Sequence, residues 1–182
     1  MKRAKAAKAD KTGRSTCQKD PRQGPAVWEG HWTSLGSELL ESHAWRAQSD
    51  NCRKVIDRVI VEHIGHGALS NGALAVTHGD FHLYGIRRSS VLAAIEEAIA
   101  LGLLRRVRAG HRAWGAFKGR AAVYALTWFA THSGQAPTNE WKRFETIEDA
   151  SQAAKQARDR VKATACDRPA RRKRIVPERA VA

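Results

Sequence analysis

Cysteine is scarce in this chain of 182 residues, and its cysteines are far apart. Cys17, Cys52 and Cys166 form no C-x-x-C pair and are odd in number. Neither a disulfide framework nor a cysteine zinc site is therefore predicted. We expect three thiols in a reducing compartment.

Long apolar runs are also missing. No stretch approaches the roughly 18 consecutive apolar residues of a membrane span. The basic N-terminal residues are not followed by the apolar core of a signal peptide. We therefore expect a cytoplasmic protein without membrane contact.

Motifs of common enzyme sites are absent as well: G-x-x-x-x-G-K-[ST], G-x-S-x-G and H-E-x-x-H do not occur. Two histidine pairs have helical spacing, His63 with His66 and His78 with His82, but no cysteine pair or carboxylate completes a zinc site. Glu96 and Glu97 point in different directions on a helix, which indicates solvated charges. We predict no enzyme, no metal and no small-molecule cofactor.

Acidic residues are few relative to basic ones. The chain has 32 Lys plus Arg against 18 Asp plus Glu, a net charge of +14. Residues 1–24 contribute +6 and residues 151–182 contribute +7, so residues 25–150 carry only +1. Such an excess attracts polyanions, and nucleic acid is the commonest polyanion in a cell.

The two basic ends lack the apolar residues that folding requires. Residues 1–24 contain no Ile, Leu, Val or aromatic residue, and residues 168–179 combine two prolines with a basic cluster. We predict a disordered basic arm at 1–26 and a folded domain at 27–132. The remainder, 133–182, is predicted to be a linker with an Ala-rich helix and a basic tail.

Charge is uneven inside the central part too. Residues 28–84 carry −3, whereas residues 85–125 carry +6. One half of the predicted domain is therefore expected to present a positive surface.

Apolar spacing predicts two helices at the start of the domain. One apolar face recurs with helical period over residues 32–43, and Trp45 extends it. A second helix begins at Asp50, as N-cap, and ends near Gly65 and Gly67. Its apolar face consists of Val55, Ile56, Val59, Ile60 and His63.

Short elements then alternate with turns. Asn71-Gly72 is a turn signal before a strand at 73–76, and Thr77 with Asp80 has the spacing of a capping box for a short helix to Tyr84. A longer helix runs from Arg88 to about residue 101, followed by strands at 103–108 and 121–128. The order helix, strand, helix, helix, strand, strand predicts a mainly α fold with a small β-hairpin, a winged helix-turn-helix domain.

Four segments resemble the small winged helix-turn-helix proteins of alphaproteobacteria. They are A-W-R at 44–46, N-G-x-L at 71–74, D-F-x-x-Y-G-I-x-R at 80–88 and A-L-G-L-L-R at 100–105. The resemblance covers about 32–128 and implies this fold and binding to double-stranded DNA.

In this fold the N-terminal end of the long helix enters the major groove, and the hairpin, or wing, contacts backbone or minor groove. The alternative is that these side chains are ordinary solvated residues. The residues expected to contact DNA are Arg87, Arg88, Ser89, Ser90, Arg106, Arg108, His111, Arg112, Lys118 and Arg120.

The C-terminal part contains one more helix pattern. Thr146 and Asp149 are placed to cap it, and its apolar face, from Ile147 to Val161, is mostly alanine. So thin a face leaves three alternatives: packing on the domain, a weak homodimer, or ordering on DNA.

We therefore predict a bacterial transcriptional regulator, or an accessory factor for replication or a mobile element, associated with the nucleoid. Two other classes stay open. One is a nonspecific nucleoid-type or RNA-associated protein, and the other is a winged helix used for protein interaction.

Deletion of residues 1–24 tests the role of the basic arm. We expect the salt dependence of DNA affinity to become shallower because fewer counterions are released, while sequence preference persists. Affinities for a selected and a random duplex at several salt concentrations measure both quantities. Loss of the preference together with the arm would contradict the assignment of base reading to residues 87–90.

Overall fold

The computed structural model describes residues 32–112 and 118–166. The predicted arm at 1–26, the predicted basic tail after 166 and residues 113–117 of the predicted wing lie outside them. The helices are α1 (Ser37–Glu41), α2 (His43–Arg46), α3 (Asp50–Gly65), α4 (His78–Leu83), α5 (Arg88–Ala100), a 3₁₀-helix (Glu140–Arg143) and α6 (Ile147–Cys166). The strands are β1 (Leu74–Val76), β2 (Leu104–Arg108) and β3 (Ala122–Leu126). A mainly helical chain with a small sheet is thus confirmed for the described ranges.

The single helix predicted over 32–43 is wrong, because the chain turns at Ser42. Ser42 has extended backbone and accepts a hydrogen bond from the Trp45 amide at 3.2 Å, so it caps α2 and separates it from α1. Trp32 lies before α1 and is 57% exposed. Leu39 and Trp45 still anchor the two short helices in the core.

The second predicted helix is confirmed as α3, with its cap one residue earlier. The Ser49 hydroxyl, rather than Asp50, accepts a hydrogen bond from the Cys52 amide at 3.3 Å. The five predicted core residues of this helix are all buried. His63 stacks at 4.9 Å from Phe129, and burial lowers the pKa of its imidazole, so this ring is neutral at pH 7.

A buried asparagine holds the turn before β1 to the end of β3. The Asn71 amide group donates to the carbonyls of Leu126 and Phe129, both at 2.9 Å. Its side-chain oxygen accepts from the Leu126 amide at 2.8 Å. Asn71 is therefore a structural residue as well as a turn signal, because it satisfies backbone groups that would otherwise be buried without partners.

The sheet is antiparallel with the strand order β1-β3-β2. Leu74 pairs with Tyr124 and Leu104 pairs with Leu126, so β3 lies in the middle. β3 is therefore paired along both edges, and its residues Val123, Tyr124, Ala125 and Leu126, whose side chains alternate between the two faces of the sheet, are all buried. The predicted β2–β3 hairpin is present in the described residues.

Local signals correctly predict the α4 to α5 segment. Thr77 and Asp80 form both halves of a capping box: the Thr77 hydroxyl accepts from the Asp80 amide, and the Asp80 carboxylate accepts from the Thr77 amide at 2.7 Å. Gly85, with φ of +93°, ends α4 in a conformation that favours glycine. Ile86 then enters the core before α5 begins.

The C-terminal helix packs against the domain, the first of the three alternatives. α6 lies along α5 and also contacts α2, with Ala150 and Ala154 buried. After α5, the backbone of Glu140 at the start of the 3₁₀-helix comes close to Gly102. A Cβ at position 102, where φ is +70°, would lie 2.6 Å from the Glu140 carbonyl carbon, so only glycine allows the two backbones to come this close. Within 32–112 and 118–166, no helix is both long and apolar enough to cross a membrane.

Replacing Asp80 with Asn tests the capping box through pH. The backbone hydrogen bond from Thr77 lowers the pKa of the Asp80 carboxyl. Its stabilising effect is therefore complete above the ordinary carboxyl pKa near 3.8 and is lost as pH falls through the lower folded value. Urea unfolding of both proteins at about pH 7 and about pH 2 should show a difference that shrinks in acid. An equal difference at both pH values would contradict the role of the ionised carboxylate.

Candidate nucleic-acid interface

The first turn of α5 presents polar and cationic side chains to solvent. Arg87 is the N-cap residue and makes no capping hydrogen bond with its side chain. Arg87, Arg88 and Ser89 are exposed, whereas Ser90 is half-buried. Arginines near a helix N-terminus oppose the helix dipole, so this end favours an anionic partner for them.

One stripe of α5 faces the β2–β3 hairpin. Arg88, Leu92 and Glu96 follow one another at intervals of four residues and so share a face of the helix. Glu96 forms an ion pair with Arg106 of β2 at 2.5 Å. Leu92 is 42% exposed. The face that carries Arg88 is therefore directed toward the side on which the hairpin lies.

The hairpin carries a second set of cations. The backbones of His111 and Arg120 exchange two hydrogen bonds, of 2.9 and 2.8 Å, which extend the pairing beyond the strands. These hairpin residues are all exposed: Arg108, His111, Arg112, Lys118 and Arg120. Arg106 differs from them, because it is half-buried and is held by Glu96.

A cavity of about 650 Å³ separates the start of α4, α5 and the hairpin. Thr77 and His78 line it from α4, Leu92 from α5, and Arg106, Arg112 and Arg120 from the hairpin side. We call this cavity the groove. It brings four of the predicted contact residues to one place, namely Arg106, His111, Arg112 and Arg120, whereas residues 87–90, Arg108 and Lys118 lie outside its lining.

Three residues that line the groove, His78, Arg106 and Tyr124, have shifted pKa values. Burial works against the charge of Arg106, but its hydrogen bond to Glu96 and the charge of that residue raise its pKa overall. Burial raises the pKa of the Tyr124 hydroxyl, and burial followed by the charge of Arg106 lowers the pKa of His78. At neutral pH the groove therefore contains cationic arginines, a neutral tyrosine and a neutral His78.

A buried carboxylate anchors α5 from the opposite side. The expectation that Glu97 is solvated is wrong, since its side chain is 0% exposed. It accepts hydrogen bonds from the Ser49 amide at 2.9 Å and the Ser49 hydroxyl at 2.7 Å, and it pairs with Arg158 of α6 at 2.7 Å. This carboxylate joins the N-cap of α3 to α5 and α6. It also adds to the effect of burial in raising the pKa of the Cys52 thiol.

Glu96 also forms an ion pair, with Arg106, so the expectation that it is a solvated charge is wrong as well.

Leu92 and Tyr124 were not among the predicted site residues. Leu92 could have been found as an apolar residue four positions after Arg88, off the buried stripe of Val91 and Ile95. Among the described residues, no group of three or more His, Cys, Asp or Glu side chains is placed to hold a metal ion.

Comparison with protein-family models, with curated proteins and with solved structures finds no match to this chain. The assignment of a function therefore depends on the residues and geometry given above.

Replacing Arg158 with Ala tests the anchor behind α5. The change leaves a fully buried carboxylate with only its Ser49 hydrogen bonds. Because Arg158 is itself about one-third exposed, we expect a moderate loss of about 1 to 3 kcal/mol in the free energy of unfolding. Urea denaturation measures this loss. Arg160→Ala, at an exposed position of the same helix, is the matched control, and equal losses in both variants would show that the pair does not stabilise the fold.

Proposed function

We propose that this chain is a DNA-binding protein of the winged helix-turn-helix type that acts on double-stranded DNA. The element order α3, β1, α4, α5, β2, β3 and the sheet order β1-β3-β2 support the proposal. In such a domain α4 and α5 form the helix-turn-helix unit, and the β2–β3 hairpin is the wing.

The observation that carries the proposal is that α5 is held to the domain on one side and presents a cationic face on the other. Glu97 holds the helix to α3 and α6 on one side. On the other side Arg88 shares a stripe with Leu92, which lines the groove together with hairpin cations. A rigid helix with an exposed cationic first turn next to a cationic hairpin suits a duplex, because groove and backbone can be contacted together.

The proposed DNA contacts are of two kinds, those to base edges and those to phosphates or the minor groove. Arg88 and Ser89 are proposed to read base edges in the major groove, where arginine can bond to guanine O6 and N7. Arg87 and Ser90 flank them. Arg108, His111, Arg112, Lys118 and Arg120 are proposed to contact phosphates or the minor groove. Arg106 is proposed to orient the hairpin through Glu96, since that carboxylate already occupies its guanidinium.

The proposed biological role is that of a bacterial transcriptional regulator, or of an accessory factor for replication or a mobile element, in the nucleoid. The charge distribution favours sequence reading over purely nonspecific binding. Thirteen of the fourteen excess charges lie in residues 1–24 and 151–182, yet residues 85–125 still carry +6. The ends supply general attraction to polyanions, and the central cations can add a defined site.

Replacing Arg88 with Ala tests base reading by α5. For a duplex selected from a random pool at near-physiological salt, we expect affinity to fall by about 1 to 3 kcal/mol because one bidentate base contact is lost. Affinity for random DNA should change little. Fluorescence anisotropy with both duplexes measures the two effects.

Two matched variants complete this test. Arg160→Ala, at an exposed position of α6, controls for the loss of one charge. Arg112→Ala should weaken binding to both duplexes alike and reduce the salt slope by about 1. An equal loss on selected and random DNA for Arg88→Ala would reject its base-reading role.

A further inference from the structure

The volume and the lining of the groove are those of a small-molecule site. Its volume of about 650 Å³ lies within the roughly 300 to 1,000 Å³ of ligand pockets. Val76 and Tyr124 form part of its wall but are almost completely buried, so they offer little surface to a ligand. Its accessible apolar surface comes from Leu92, which is exposed, and from the half-buried Ala121 and Ala122.

The charge of the lining has one sign. Among the described residues that line the groove, none is Asp or Glu and three are arginines. Arg106 is neutralised by Glu96. Arg112 and Arg120 take part in none of the ion pairs between described residues. These two side chains are therefore the cations available for an anionic group.

Apolar surface beside two arginines selects an amphiphilic anion. A phosphate of the DNA backbone would contact the arginines but would leave the apolar surface of Leu92 and Ala122 uncovered. A carboxylate attached to a planar or aliphatic body satisfies both parts, because arginine binds carboxylates in a bidentate manner and the body covers apolar surface.

We propose that the groove binds a small organic carboxylate with an apolar body, held by Arg112 and Arg120 and packed on Leu92. Because the same arginines are proposed to contact DNA, ligand and DNA compete for the protein. This second statement rests on the proposed function. The chain would then release DNA when such a carboxylate accumulates.

Three probes separate the contributions to binding. The full chain is titrated with 1-naphthoate, with the uncharged isostere 1-naphthamide and with inorganic phosphate, while NMR follows the Leu92 methyl groups. We expect saturable binding of naphthoate, binding of naphthamide that is weaker by about tenfold or more, and no Leu92 shift with phosphate. Equal affinities for naphthoate and naphthamide would overturn the proposal. So would displacement of naphthoate by equimolar phosphate, which would identify a plain phosphate contact.

Matched variants locate the site. Arg120→Gln should weaken naphthoate by about tenfold or more, whereas Arg105→Gln, on β2 but outside the groove lining, should not. Leu92→Gln should weaken both naphthyl probes, whereas Leu83→Gln, at an exposed leucine outside the lining, should leave them unchanged. Equal effects within either pair would overturn the proposal.

Competition is measured separately on the selected duplex. Naphthoate should raise the apparent Kd for DNA in the unchanged protein and have a much smaller effect in Leu92→Gln. If DNA binds and the probe titration fails, the groove proposal is wrong and the proposed function stands. If the probes bind and DNA does not, the proposed function is wrong and the carboxylate site stands.

Discussion

The buried Glu97 carboxylate is the constraint on which the arrangement of the helices depends. A charged oxygen pair with no exposure is costly unless hydrogen bonds and a counterion replace water. Ser49 and Arg158 supply both, from the start of α3 and from the middle of α6. The three helices must therefore keep their relative positions for the carboxylate to stay satisfied. This anchor fixes α5 from behind and leaves its opposite face available for binding.

A second link holds the front of α5. The Glu96–Arg106 pair joins this helix to β2, and Tyr124 lies beside the pair on the central strand. Together the two neighbouring glutamates connect α5 in two directions, one into the core and one toward the hairpin. The groove between helix and hairpin consequently has a defined form, in which Glu96 neutralises Arg106 whereas Arg112 and Arg120 form no ion pair with another described residue.

The positive charge at the ends of the chain and that of residues 85–125 have different physical effects. Net charge in the ends contributes to attraction over distance, which salt screens. The cations of residues 85–125 are fewer, but those within the described ranges are set on α5 and on a paired hairpin. Specific recognition needs such fixed positions, because a hydrogen bond to a base edge or a carboxylate tolerates little displacement.

Features decided within one or two turns of chain could be predicted from the sequence. The apolar face of α3, the Thr77–Asp80 capping box and the turn at Asn71-Gly72 all depend on residues a few positions apart. The break at Ser42 was missed although its signal is local, because the apolar period of residues 32–43 continued across it. The exposed cations Arg87 and Arg88 could also be located, since their place at a helix start follows from Gly85 and the following apolar stripe.

Tertiary structure alone decided which charges are buried and which are available. Ser49 and Glu97 are 48 residues apart, and no periodicity distinguishes Glu97 from an ordinary solvated glutamate. Likewise the pairing of Arg106 with Glu96 and the groove around Leu92 arise only when the hairpin lies against α5. Local sequence determines helices, turns and caps, because their hydrogen bonds close within four residues. The role of a charged side chain depends instead on the surface that a distant segment brings to it.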